Sequence, residues 1–329
     1  MSSQMLLCTT RMASLARISS LPSVSPGSGP YGEVASNVTL TGSKFASNGN
    51  GFSVEGSGAL SNVTVTSCEF PNNVYGFSSN ADAALAVAGP AVVNANSAGL
   101  TGVTVTNSSF NGNSLKGLYF EKLNDATFTG ITVDGSGVDA SNAFTNGMDI
   151  NLKFGAYSNI SIIDSEIVNS GVLGTQTNAL FPTALAIKAR DDAGHPTYGP
   201  KPASLSGVLV KNTYVGGPEN AMRVGEPSKN NAGPTGVVVV DSSLVGGNAA
   251  GNTGYGFINE SQVSVVATNN WWGTAAGHSI ASKISGTASY SPWYTTGADS
   301  SAAIGFQPTG VATGTPVVAS ITLVTNVVC

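Results

Sequence analysis

Charged residues are scarce in this chain. Of its 329 residues only 9% are Asp, Glu, Lys or Arg, and the formal net charge is -5. No segment concentrates lysine or arginine as binding to a phosphate backbone requires, so the sequence excludes nucleic acid as a partner. Because charge is so limited, solubility must come from the many hydroxyl and amide side chains.

Cysteine and histidine are also rare. The three cysteines, Cys8, Cys68 and Cys329, are scattered, which excludes a disulfide framework and a zinc site. Stability must therefore come from packing, and Cys68 is predicted to be a small core residue or a turn residue. The two histidines, His195 and His278, lie in separate predicted loops and are too far apart in sequence to suggest a metal pair.

Long apolar runs are absent as well. No stretch reaches the roughly 18 to 20 apolar residues of a membrane-spanning helix, so no membrane span is predicted. Residues 1–33 are rich in serine and end in a Pro/Gly/Ser run, and we expect an unstructured leader there. Residues 296–329 are predicted to be a linker followed by a C-terminal strand, which either pairs along a sheet edge or belongs to a longer chain.

What the chain does contain is an internal repeat. A small residue followed by alternating apolar positions recurs six times, and each copy follows an alternating Thr/Val strand. The six copies are Gly51–Glu55, Gly117–Glu121, Gly147–Asn151, Ala184–Lys188, Ala221–Gly225 and Gly254–Ile258. The first apolar residue of each Thr/Val strand marks the repeat, and these markers are Val38, Val63, Val103, Phe128, Ile160, Val208, Val237 and Val263.

This repeat predicts a parallel β-helix. Apolar residues alternate with period two inside each copy, which excludes a helical repeat and indicates strands. The shortest intervals between markers are about 25 residues, which suits one coil of a solenoid, and longer intervals suit inserted loops. Antiparallel sandwiches and propellers are less favoured, because they need hairpin turns at short regular intervals. We therefore predict an all-β, single-stranded parallel β-helix over residues 34–295.

The C-terminal part of the repeat region carries aromatic motifs. It contains Asn269-Asn-Trp-Trp-Gly273 and then Tyr290-Ser-Pro-Trp293. This combination resembles the end of secreted bacterial right-handed parallel β-helix proteins, which have the architecture of the pectate-lyase-like superfamily and include adhesins and surface proteins. The resemblance covers about residues 36–295 and implies a right-handed helix at the cell surface or outside the cell. It implies no catalytic residues, because neither the aspartate constellations of polygalacturonases nor the Tyr-Gly-Phe-Asp-Pro-His run of alginate epimerases is present.

If the copies stack in register, their outward positions form two columns that hold many of the chain's few charges. The first column contains Ser53, Tyr119, Asp149, Ala186 and Arg223. The second contains Glu55, Glu121, Asn151, Lys188 and Gly225. Just beyond them lie Lys122, Lys153, Arg190, Asp191, Asp192 and Glu226.

These side chains suggest two kinds of chemistry on glycans. A lyase or epimerase acting on acidic polysaccharides needs a base and a group that neutralises the uronate carboxylate. The catalytic candidates are Asp149, Lys188, Arg190 and Arg223, and a calcium ion on Asp149, Asp191 and Asp192 is the one cofactor considered. A glycosidase would instead need two carboxylates, for which Glu121 and Asp149 are candidates. Candidates for binding a glycan are Tyr119, Glu121, Asn151, Asp191, Asp192 and Glu226.

A simpler interpretation is that these charges form cross-coil ion pairs on a solvated face. On that interpretation the chain is an extracellular structural or adhesive module that presents a polar face to glycans, or to cell-surface or matrix proteins. We favour it over the enzyme. A third hypothesis is a subunit of an extracellular filament, because the C-terminal strand pattern suggests self-assembly.

Overall fold

The computed structural model describes residues 16–17, 34–54, 59–81, 99–230, 232–247 and 254–316. In this part of the chain nearly all regular structure is β, and every pairing between strands is parallel. The exceptions are one helical turn, α1 (Gly277–Ile280), and a 3-10 turn, Ala281–Lys283. The prediction of an all-β fold built from parallel strands is therefore confirmed.

The strands form three sheets, which we call A, B and C. Sheet A contains β1 (Ala16–Arg17), β3 (Asn50–Val54), β5 (Tyr75–Ser79), β7 (Lys116–Phe120), β10 (Asn146–Leu152), β13 (Thr183–Ala189), β16 (Asn220–Val224), β19 (Phe257–Asn259) and β21 (Ile284–Ser285). Sheet B contains β2 (Val34–Thr41), β4 (Ala59–Thr66), β6 (Leu100–Thr106), β8 (Asn124–Thr129), β11 (Gly155–Ile163), β14 (Ala203–Lys211), β17 (Thr235–Val240), β20 (Val265–Val266) and β22 (Ala288–Ser289). Sheet C contains β9 (Thr132–Asp134), β12 (Glu166–Val168), β15 (Tyr214–Gly217) and β18 (Ser243–Gly246).

The chain visits the sheets in a constant order. From β8 to β19 it runs through sheets B, C and A four times in succession. In the earlier coils the place of a sheet C strand is taken by single parallel bridges at Lys44, Glu69 and Ser109. Buried residues of all three sheets belong to one hydrophobic cluster, so the sheets share a single core.

The pairing register confirms the two predicted columns where it is described. Tyr119 pairs with Asp149, Asp149 with Ala186, and Ala186 with Arg223. Asn151 pairs with Lys188 in the second column. Glu55, which was predicted to begin that column, lies outside the described residues.

Three assignments of the repeat were wrong by two residues, and one copy was missed. Ile160 pairs with Ala126 and not with Phe128, and β20 places Val265, not Val263, inside the core. The last copy starts at Gly256 and not at Gly254, because Arg223 pairs with Ile258. Strand β5, which carries the unrecognised copy, lies between β3 and β7. A shift of two residues keeps the same side chains inside, so an alternating pattern does not reveal it.

The two faces of the sheets differ in exposure. In β4 of sheet B, Leu60, Val63 and Val65 are buried and the residues between them are partly or fully exposed, as predicted for a half-buried strand. Every residue of β10 and β13 in sheet A is buried. The expectation of a solvated outer face is therefore wrong for this part of sheet A, because neighbouring loops cover it.

The C-terminal end of the core is closed by tryptophans, as the aromatic motifs predict. Trp272 and Trp293 are almost fully buried and belong to the core cluster. Residues 296–316 pack back on the body: Gly314 forms an antiparallel bridge with Trp293 at this end, and Phe306 is buried against sheet C, with its ring 5.2 Å from that of Tyr214. This part of the predicted linker is thus attached to the body.

The remaining terminal predictions fall largely outside the described residues. Of the predicted leader only β1 is described, and it pairs with β3. The predicted C-terminal strand, Cys8 and Cys329 lie outside the described residues. Cys68 is a buried free thiol, as expected for a small core residue. In the described ranges, no helix has the length and hydropathy that crossing a membrane requires.

Candidate functional site

The outer face of sheet A holds a group of ionic side chains, most of them buried, which we call the charged cluster. Its members are Lys116, Glu121, Asp149, Lys153, Lys188, Arg190, Asp192, Arg223, Glu226 and Lys229. Asp149 is fully buried, and only 5% of Lys188 and 1% of Arg223 is exposed, so these charges are removed from water.

Loops that join sheet A to its neighbours cover the cluster. Phe181, which precedes β13, places its ring 5.4 Å from the guanidinium carbon of Arg223. Tyr198, in the loop after β13, places its ring 4.3 Å from the guanidinium carbon of Arg190. Aromatic faces attract cations, so both loops are held over the cluster by charge as well as by packing.

Asp149 lies at the centre of the cluster. Its Oδ2 accepts a hydrogen bond from Lys116 Nζ, and its Oδ1 lies 3.9 Å from Lys188 Nζ. Burial alone would raise the pKa of Asp149, but the positive charges of Lys116 and Lys188 outweigh it and lower the pKa to about 2. Asp149 is therefore a carboxylate at neutral pH.

The ionic contacts continue from Lys188 across the next coil. Lys188 Nζ lies 3.0 Å from Glu226 Oε2, and Arg190 Nη1 lies 4.0 Å from the same oxygen. Arg190 Nη2 is 2.5 Å from Asp192 Oδ2, which also contacts Lys229 Nζ at 3.4 Å. Burial would raise the pKa of both Glu226 and Asp192, yet their cationic partners hold both pKa values below the usual range. Lys188 behaves in the opposite way, since burial lowers its pKa despite the neighbouring carboxylates.

Arg223 differs from the other cations of the cluster. Its Nη1 donates to the Gly225 carbonyl and its Nη2 to the Phe181 carbonyl at 3.3 Å. Burial lowers its pKa. Among the described residues, no carboxylate oxygen lies within 4.0 Å of the guanidinium, and Ala186 separates Arg223 from Asp149 in the column.

A second set of contacts lies one coil earlier. Tyr119 donates its hydroxyl to Glu121 Oε1 at 2.5 Å and accepts from Asn151 Nδ2 at 3.2 Å. Glu121 also pairs with Lys153 and accepts the Ala81 N–H at 2.8 Å. Burial and the nearby charge of Glu121 raise the pKa of Tyr119, so its hydroxyl stays protonated.

The structure brings together nine of the ten predicted site residues in these two sets. Asp191 stands apart, because its Oδ2 accepts the Ala232 N–H at 2.7 Å, and burial and the charge of Asp192 raise its pKa. The sequence reasoning missed Lys116 and Lys229. Lys116 lies just before Gly117, the first position of its repeat copy, and its partner Asp149 lies in the next coil, so only the pairing register could have revealed it.

The proposed calcium ligands do not converge. Asp149 faces lysines, Asp192 faces Arg190, and Asp191 faces a backbone amide. In the described ranges, no group of three His, Cys, Asp or Glu side chains is arranged to hold a metal ion. His195 accepts the Thr197 N–H on Nδ1 and stacks on Tyr198.

Comparison with protein-family models, curated proteins and solved structures finds no match to this chain.

Proposed function

We propose that this chain is an extracellular structural and adhesive module that binds glycans. In this proposal residues 34–295 form one single-stranded right-handed parallel β-helix. The repeated order of sheets B, C and A and their common core support a single solenoid. The abundance of hydroxyl and amide side chains on a weakly charged chain supports an extracellular or cell-surface location.

The observation that carries the proposal is the internal pairing of the charged cluster. Lys188, Glu226 and Asp192 all contact an opposite charge and are buried. Side chains engaged in this way hold coils and loops together and are not exposed to a polymer. The cluster therefore suits a rigid rod better than an open catalytic face.

The test measures binding and turnover on the same samples. The purified chain is incubated, with and without calcium, with pectate, alginate, glycosaminoglycans and neutral glycans. We expect retention of some intact glycans without new unsaturated or reducing ends. Retention of matrix or cell-surface proteins alone, or concentration-dependent scattering by filaments without glycan binding, would contradict the glycan proposal.

One observation favours an enzyme acting on acidic polysaccharides as a second candidate. Burial lowers the pKa of Lys188, which is the change that a lysine needs to act as a base near neutral pH. Arg223 is the candidate for neutralising a uronate carboxylate, but only 1% of it is exposed, so this candidate requires that Arg223 be uncovered first. Product formation that is lost in both Lys188→Ala and Arg223→Ala, in protein that remains folded, would establish this candidate and overturn the first.

A further inference from the structure

A cavity outside the charged cluster has the form of a small binding site. Its volume is about 490 Å³, within the range of about 300 to 1,000 Å³ usual for ligand pockets. The described lining residues are Ala179, Leu180, Glu219, Asn220, Gly254, Tyr255, Ser282 and Lys283.

The lining residues occupy equivalent places in successive coils. Glu219 immediately precedes β16, Tyr255 lies just before β19, and Lys283 immediately precedes β21. Leu180 belongs to the loop before β13. The lining residues therefore span about three spacings of about 4.8 Å along the stacking direction.

Its walls are held in place by Asn220, which is only 3% exposed. The side-chain Nδ2 donates to the carbonyls of Ala179 and Pro182, at 2.8 and 2.9 Å. The side-chain Oδ1 accepts the Tyr255 N–H at 2.9 Å. One buried amide thus joins the loop wall to the two coils beside it, so the cavity is formed before a ligand arrives.

The backbones of Gly254 and Glu219 approach each other closely in the lining of the cavity. A Cβ atom on Gly254 would lie 1.5 Å from the Glu219 carbonyl oxygen, so no larger residue fits there. The rim, in contrast, is accessible: Ser282 is exposed, and Glu219, Tyr255 and Lys283 are half-buried.

The chemistry of the lining suits a sugar. Tyr255 supplies an aromatic ring, Leu180 an apolar wall, and Glu219, Ser282 and Lys283 supply acceptors and donors for hydroxyl groups. Among the described lining residues, the carboxylate of Glu219 and the ammonium group of Lys283 balance each other in charge, so this part of the lining does not select for an acidic ligand.

We propose that this cavity binds a short neutral oligosaccharide laid along the coils. The inference rests on the proposed glycan-binding function and names its site and ligand class. It differs from the acidic-glycan hypothesis, which uses the charged cluster.

The test is calorimetric titration of the full chain with neutral oligosaccharides, from disaccharide to tetrasaccharide, and with uronate oligosaccharides of the same lengths. We expect neutral oligosaccharides to bind, and Tyr255→Ala to raise their Kd at least about tenfold because the ring contact is lost. Tyr255→Phe keeps the ring and should bind nearly as the parent chain does. Glu219→Gln and Lys283→Gln should each raise Kd by about tenfold through lost charge-assisted hydrogen bonds.

Matched controls come from the exposed pair Lys44 and Glu69, whose charges lie 2.8 Å apart on early coils. Lys44→Gln and Glu69→Gln should leave Kd unchanged, and thermal unfolding should show that every variant is folded. Neutral binding that persists in Tyr255→Ala and Glu219→Gln would overturn this site while leaving glycan binding by the rod intact. Binding of uronates only would also overturn it, and no binding to any glycan would overturn both this inference and the proposed function.

Discussion

At the scale of single residues, Asp149 shows how this chain uses its few charges. A buried carboxylate is costly unless its partners compensate for lost hydration, and Lys116 and Lys188 supply that compensation. The two lysines come from the coils on either side, so the ionic contacts join three coils. Removal of the central charge would take away the carboxylate that contacts Lys116 and one of the two that contact Lys188, which would keep Glu226.

We therefore predict that Asp149→Asn lowers the free energy of unfolding at pH 7 by about 3 to 5 kcal/mol, the usual cost of breaking a buried ion pair. The pKa of Asp149 is lowered in the folded state to about 2. Its stabilising contribution is thus present above the unfolded pKa of about 3.9 and is lost as pH falls through the folded pKa. Denaturant unfolding between pH 7 and pH 2 should show the gap between parent and variant narrowing below about pH 4.

The control for this prediction is Glu69→Gln, which breaks the solvent-exposed pair with Lys44. Exposed pairs contribute little, so its effect should stay below about 1 kcal/mol. An Asp149→Asn variant as stable as the parent chain at pH 7 would show that the cluster does not hold the coils together.

At the scale of elements, the corners between sheets C and A are joined by a ladder of buried polar side chains. Asn113 Oδ1 accepts the Asn73 N–H at 2.9 Å, and Ser136 Oγ accepts the Asn113 N–H at 3.1 Å. Asn73 Oδ1 accepts the Asn48 N–H in the same way. Each of these side chains accepts a hydrogen bond from a backbone N–H of the preceding coil. At the corner that N–H is outside the sheets and would otherwise be unpaired.

We predict that Asn113→Ala costs about 1 to 3 kcal/mol, because the buried Asn73 N–H would lose its acceptor. Asn111→Ala is the matched control: its Oδ1 also accepts a backbone N–H, from Asp134 at 3.0 Å, but near the surface, where water can replace it. Urea unfolding at neutral pH measures both. Equal costs for the two variants would refute a special role for the buried ladder.

At the scale of the whole molecule, a stack of coils must cover its ends. Trp293 is 2% exposed and packs against Gly277 and Gly314, with its ring 6.0 Å from that of Tyr290. It joins the last coils to residues 296–316. In a solenoid each coil contacts only its neighbours, so damage at an end should stay near that end.

We predict that Trp293→Ala costs about 3 to 5 kcal/mol locally and opens β19 to β22 before the remaining strands. Amide hydrogen exchange, read by mass spectrometry, should show faster exchange there and little change in β4 to β13. Trp271→Ala is the control, since that side chain is only half-buried. Uniform acceleration in all strands would contradict the local role of Trp293.

Much of the molecule could be predicted from alternation and repetition. The parallel all-β class, the inward residues and the column of Tyr119, Asp149, Ala186 and Arg223 followed from the sequence. The burial of that column did not follow from the sequence, because alternation within the strands does not show that the loops carrying Phe181 and Tyr198 fold over it. The cavity beside Tyr255 could not be predicted either, because its lining residues come from different coils.

The sequence by itself determined which side chains point inward. Side chains of a strand alternate with period two, and turning the strand over would bury its polar side chains. It did not determine register to better than two residues, as Ala126, Val265 and Gly256 show, because such a shift preserves the inward set. Only the tertiary structure decided that the charges of sheet A are buried and paired. Ion pairs across coils depend on which strands become neighbours, and that information is absent from any single repeat.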